Sequence, residues 1–100
     1  MSASVALPAS VTMHEASAVL RSVEAAMPAA GGSLEIDAAA LQAFDTSLIA
    51  VLLQALRSAK ARGAAVQVVR APAKLFSLAA LYGVDSLLPL EPSATRPGST

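Results

Sequence analysis

The chemistry-bearing residues of this sequence gather in one short stretch, Phe44-Asp45-Thr46-Ser47-Leu48, an acidic and hydroxyl-bearing turn placed just before a long apolar-periodic segment. A carboxylate at an N-cap, with two hydroxyls beside the unpaired N–H groups and positive dipole end of a helix, can hold a partner's polar atoms or receive a phosphate. Asp45 is expected to cap the helix, and Thr46 and Ser47 are the phosphorylation candidates. On a helix, Ser47, Val51, Gln54 and Ser58 recur at i, i+4, i+7 and i+11, a small and lightly charged face away from the predicted core stripe. Such a face suits docking against a protein, so Asp45, Thr46, Ser47, Val51 and Gln54 form the expected partner-binding set.

Other candidates carry less. His14 falls on the polar side of a predicted helix with no nucleophile or carboxylate pair tied to it, and is expected to be a surface residue. Arg70 and Lys74 flank Ala71-Pro72-Ala73 without a glycine-rich loop, a weak phosphate signal. Glu35 and Asp37 share one side of a strand, as solvated charges commonly do, and Tyr82 is expected to be a core residue at a helix end. No catalytic constellation emerges.

The elements that must position the turn follow from periodicity. Val5-Ala6-Leu7, stopped by Pro8, reads as a strand near a sheet edge. Thr12 and Glu15 have capping-box spacing, and Ala16, Val19, Leu20, Val23 and Met27 mark a helix over Met13–Met27 that Pro28 and Gly31-Gly32 end. Ser33–Asp37 alternates as a strand, and Ala38–Ala43 reads as a turn. Thr46–Arg62 is the long helix, with Ile49, Leu52, Leu53, Leu56 and Ala59 predicted as its core stripe and Gly63 as its stop. Ala64–Arg70, rich in valine, is a third strand. Pro72 opens a third helix carrying Leu75, Leu78, Ala79 and Tyr82, which Gly83 closes, and Leu87-Leu88-Pro89 is a candidate last strand. This alternation predicts a single α/β domain over 1–90, with a small, mostly parallel sheet and about three main helices. A disordered tail is expected over 91–100.

Composition narrows the function classes. Seven basic and seven acidic residues cancel and only 3% of residues are aromatic, so neither nucleic acid nor an anionic membrane is an expected partner. With no cysteine and one histidine, no metal site is expected, nor any other cofactor. The longest apolar runs are far too short to cross a bilayer, so no direct membrane insertion and a cytoplasmic location are expected. Hydrophobic residues make up 55% of the chain, which suggests that a partner or a second copy, as in a homodimer, covers some apolar surface.

Three segments together resemble a STAS domain over about residues 4 to 90: Phe44-Asp45-Thr46-Ser47 opening a Leu-rich helix, Ala59-Lys60-Ala61-Arg62-Gly63 closing it, and the run Leu78 to Pro89 containing Leu81-Tyr82-Gly83. The last segment looks most like the MlaB branch, the small STAS subunits of ABC-type phospholipid transporters. That resemblance implies a non-catalytic subunit, peripheral to the inner membrane, that binds the transporter ATPase and serves outer-membrane lipid asymmetry. The Asp-Thr-Ser turn also resembles that of anti-sigma factor antagonists, which implies, as the alternative, an anti-sigma factor kinase as partner and phosphorylation on Ser47. Two departures stand out. Leu48 occupies a position that usually carries glycine, making the loop bulkier, and the short stretch Ser2 to Leu7 leaves no room for an initial hairpin, so one sheet edge is expected to be open.

Overall fold

The computed structural model describes residues 2–28, 31–84, 86–88 and 90–92. Its elements are β1 (Ser2–Ala6), β2 (Ser10–Val11), α1 (Ala16–Ala26), β3 (Ser33–Asp37), β4 (Ala43–Phe44), α2 (Thr46–Arg62), β5 (Ala65–Ala71), α3 (Ala73–Leu81) and β6 (Leu90–Pro92). The strands β1-β3-β5-β6 form one sheet in that order, every described pair parallel, and β2 pairs with β4 separately. Because the order advances in a single direction, right-handed crossovers place the connecting helices on one face. The burial of β3 agrees: Leu34 and Ile36 are buried while Ser33 and Glu35 are exposed on the other face.

The core lies between that inner face and the helices. Leu34, Ile36 and Val68 of the sheet meet Val19 and Val23 of α1, Leu48, Leu52, Ala55 and Ala59 of α2, and Leu75 and Ala79 of α3. Five alanines among the buried residues, at 38, 55, 59, 71 and 79, keep the layers thin, as the alanine-rich and aromatic-poor composition implies.

Strong local signals set the boundaries of α2. Asp45 caps its start, and Gly63, at φ 68°, closes it in the left-handed conformation, with Ala64 N–H reaching back to Ala59 C=O at 2.8 Å. Elsewhere the structure differs from the expectation. Residues 13–15 form a turn in which the Glu15 and Ala16 N–H groups both bond Thr12 C=O, so α1 begins at Ala16 instead of Met13. The expected contact is present in altered form: the Glu15 carboxylate accepts from Thr12 N–H and Thr12 Oγ1, both at 2.7 Å. The last strand falls at Leu90–Pro92 and not at Leu87-Leu88, whose N–H groups turn back to Val84 C=O; Pro89 lies outside the described residues. Glu91 and Pro92, expected in the tail, belong to that strand; 93–100 lie outside the described residues.

The ladder between β5 and β6 contains a bulge. Val68 pairs with Leu90 and Ala71 with Pro92, three steps against two, and Arg70 in between adopts φ 54°. A left-handed backbone is unfavourable for arginine. The bulge aims its guanidinium across the sheet at Asp37, with Nε to Oδ1 at 3.0 Å and a second nitrogen to Oδ2 at 2.8 Å. Arg70 is thus committed to Asp37, which sets aside both the Arg70–Lys74 anion site and the Glu35–Asp37 carboxylate pair.

Hydrogen bonds from Arg70, then from Ala39 N–H, hold the Asp37 carboxyl below its ordinary value. A carboxyl depressed in the folded state contributes stability above its unfolded pKa, and that contribution is lost as pH falls through the folded value. Asp37→Asn is therefore expected to lower the melting temperature at pH 6 and to flatten its decline below about pH 4. Parallel melting curves for the two proteins down to pH 2 would refute the assignment.

Candidate functional site

Beyond their paired ends, β1 and β3 continue side by side. Ala9 C=O accepts from the N–H groups of Gln42 and Ala43, and the two chains pair again as β2 and β4 before entering α1 and α2. This second pairing brings the starts of the two helices together. Two-residue strands leave too little pattern to be read from sequence, so the juxtaposition is visible only in the fold.

Asp45 is the clasp. Its Oδ1 accepts from Ser47 N–H at 2.8 Å, capping α2 as expected, and its Oδ2 accepts from Met13 N–H at 3.3 Å, 32 residues away on the loop before α1. Its own N–H bonds Val11 C=O. The Ser47 N–H, followed by the Ser47 hydroxyl and Met13 N–H, keeps the Asp45 carboxyl below the usual range, so it is an anion at neutral pH with its oxygens already engaged. It frames the site more than it offers a free charge.

The structure divides the expected residues between two sides of that clasp. Thr46 is exposed and, with Phe44, Lys74, Leu78 and Leu81, lines a depression of about 390 Å³ between the start of α2 and α3. Ser47 is half-buried on the other side, in a groove of about 610 Å³ between α1 and α2, which Leu20, Val51, Gln54 and Ser58 also line. The face from Ser47 to Ser58 is therefore turned toward α1. The Ser58 hydroxyl donates to the Glu24 carboxylate of α1, and Gln54 accepts from Arg57.

Val51 requires a correction. It was expected to project from the core, yet it is 3% exposed and belongs to the core cluster. The buried side of α2 is centred on Leu48, Leu52, Ala55 and Ala59, while Leu53 and Leu56, expected in the stripe, are half-buried. Leu48 also differs from its expected effect: it is fully buried, so its bulk fills the core and leaves the outside of the turn unencumbered. Tyr82, expected in the core, is 55% exposed.

Two residues outside the expected set complete the surface. Met13 is 72% exposed beside Asp45, and Leu81 is 76% exposed at the rim of the Thr46 depression. Large apolar side chains held open to water around a fixed polar turn have the composition of a protein contact, apolar at the centre with a polar frame. Leu81 could have been noticed as a bulky residue off the Leu75–Leu78–Ala79 stripe; Met13 had no comparable signal, being the first residue of a predicted helix. Among the described residues there is no cluster of three His, Asp or Glu side chains able to hold a metal ion, and no helix long and apolar enough to cross a membrane.

The comparisons with known proteins agree with this architecture. The family model described as "Mlab, STAS domain" matches residues 2–89. Among solved structures, the chain is similar to an anti-sigma-factor antagonist (STAS) domain protein from Planctomyces limnophilus, with a TM-score of 0.76 and 17% identity over 96% of this chain and 85% of that one. At that identity the likeness speaks for the fold. No curated protein matches the chain.

Proposed function

The chain belongs to the STAS domain family, and from that premise we propose that it is a non-catalytic subunit of an ABC-type phospholipid transporter. It docks on the cytoplasmic ATPase through the surface around Asp45 and Thr46, and stabilises or regulates that enzyme. STAS domains are generally non-catalytic regulators and relatives of anti-sigma factor antagonists, which suits a chain whose conspicuous surface is a contact and not a reaction site. The name of the matched family model supports the transporter branch, and with it a cytoplasmic protein held at the inner membrane through its partner, maintaining outer-membrane lipid asymmetry.

The observation that carries the reading is the pair Met13 and Leu81, held open to solvent on either side of a turn that Asp45 keeps rigid. Thr46, in the same depression, supplies the test. Thr46→Glu places an acidic residue in the first turn of α2, where the helix dipole tolerates it, so the fold should persist. It also introduces a charge into the contact, so capture of the purified transporter ATPase should fall at least tenfold. Unchanged capture would count against this surface.

The position of Ser47 favours a second reading. Ser47 stands at the start of α2, lining the groove toward α1 on the opposite side of Asp45 from the Thr46 depression, with its hydroxyl beside the Asp45 carboxylate. In an anti-sigma factor antagonist, a phosphate there would add roughly −1.5 to −2 charges next to Asp45 and release a partner kinase. The two readings separate cleanly: Ser47→Asp but not Ser47→Ala should abolish kinase binding under the second, and neither should impair ATPase capture under the first.

A further inference from the structure

Among the described residues, β1 is an edge strand without the usual protecting features. Among the described residues only β3 pairs with it. Leu7 donates its N–H to Asp37 C=O. Because peptide groups alternate in direction along a strand, Ala3 and Val5 also turn theirs toward β3, while Ser2, Ser4 and Ala6 turn theirs outward. Exposed edges are normally protected by lysine, proline or a bulge. Ser2–Ala6 contains no charge and no proline, and its register with β3 is regular.

A second feature lies beside this edge. An apolar trough of about 510 Å³ runs between β1 and α1, lined by Val5, Leu7, Pro8, Ala18, Val19 and Ser22. The charged residue that borders it, Glu15, has its carboxylate occupied by Thr12 and Ser10. The α1 wall is low, since Ala18 and Ser22 are small and exposed one turn apart.

We infer that this edge joins the same edge of a second copy of the chain, β1 against β1 antiparallel about a two-fold axis through Ser4, with the two troughs closing into one apolar layer between the α1 helices. In that register Ser4 faces Ser4 and Ser2 faces Ala6, and these are the residues whose peptide groups point outward, so each pair exchanges both hydrogen bonds. Ala3 faces Val5 on the helix side, so each copy brings an aliphatic side chain to the other's trough. The segment is neutral and nearly the same in size read in either direction. A second copy therefore meets no repulsion, and a charged partner finds nothing to pair with. A five-residue strand and a low helix wall bury less than the roughly 800 Å² per partner of a standard stable complex, so the association is weak and reversible. None of its residues belongs to the Asp45 surface, which stays open in the dimer.

Sedimentation of the full chain from 1 to 300 micromolar, as an order-of-magnitude range, should show the mass rising from one chain toward two. Ser4→Pro removes an outward N–H without touching a bond to β3, and Ser4→Lys sets like charges against each other across the axis. Each should weaken association at least tenfold with the melting temperature little changed. Since the chain has no cysteine, register can be read by cross-linking. Ser4→Cys should oxidise to a dimer, because facing residues in a hydrogen-bonded pair lie about 5.5 Å apart. Ala6→Cys should not, because its copy would be about 14 Å away along the strands. A single-chain mass at every concentration, a dimer indifferent to both Ser4→Pro and Ser4→Lys, or equal cross-linking at positions 4 and 6 would overturn the proposal.

Discussion

Leu81→Glu will abolish capture of the transporter ATPase while leaving the melting temperature within a few degrees of the parent. Leu81 is the last residue of α3 and 76% exposed, so little burial is lost when it is replaced. A carboxylate at a helix C-terminus is mildly unfavourable, by about 0.3–1 kcal/mol. The effect on binding is of a different size. A large apolar residue that becomes buried in a contact can contribute about 2 kcal/mol or more, and here its replacement must also be desolvated in a depression that Asp45 borders. The expected loss is roughly 30-fold or greater in the dissociation constant. Calorimetric titration against the ATPase, alongside thermal melts of both proteins, separates the two effects. Binding within threefold of the parent would show that Leu81 lies outside the contact.

How much of this surface was legible in the sequence depended on how local its signals were. Asp45 and Gly63 are capping residues whose chemistry acts within one turn, and they marked the ends of α2 where the structure places them. The alternation of Leu34 and Ile36 with Ser33 and Glu35 fixed β3 and its buried face in the same way. Val51 was misplaced because Leu48, Ile49, Val51, Leu52, Leu53 and Leu56 of α2 span roughly 200° of the helix, wider than a single stripe, with Val51 at one edge. Periodicity locates the centre of such an arc but not which edge is covered; the helix is flanked by the sheet on one side and α1 on another, and packing against both buried the Val51 edge. The depression at Thr46 was illegible for another reason. Its far wall comes from α3, nearly thirty residues later at Lys74 and beyond, and Met13 reaches Asp45 only because β2 and β4 pair.

The same burial makes Val51→Arg a test of the fold and not of the contact. Val51 is 3% exposed between the sheet layer and α1, so the substitution removes an aliphatic side chain from the core and forces a guanidinium into its place. Burying an unpaired charge costs several kcal/mol, although here the arginine stem can run along the α1–α2 groove toward the Glu24 carboxylate, which lines the same groove. A net loss of about 3–5 kcal/mol follows, a large share of the 5–15 kcal/mol available to a domain of this size. With about 4–8 °C of melting temperature per kcal/mol in a small domain, the variant should melt at least 12 °C lower or fail to fold. Val51→Ala, which opens a small cavity without adding charge, should cost less than half as much. Should the arginine variant melt within a few degrees of the parent, Val51 would have to lie outside the core, and the helix face running from Ser47 to Ser58 would again be free to receive a partner. If it unfolds as expected, loss of ATPase capture by that variant says nothing about the interface, and Thr46 and Leu81 remain the positions at which binding and folding can be told apart.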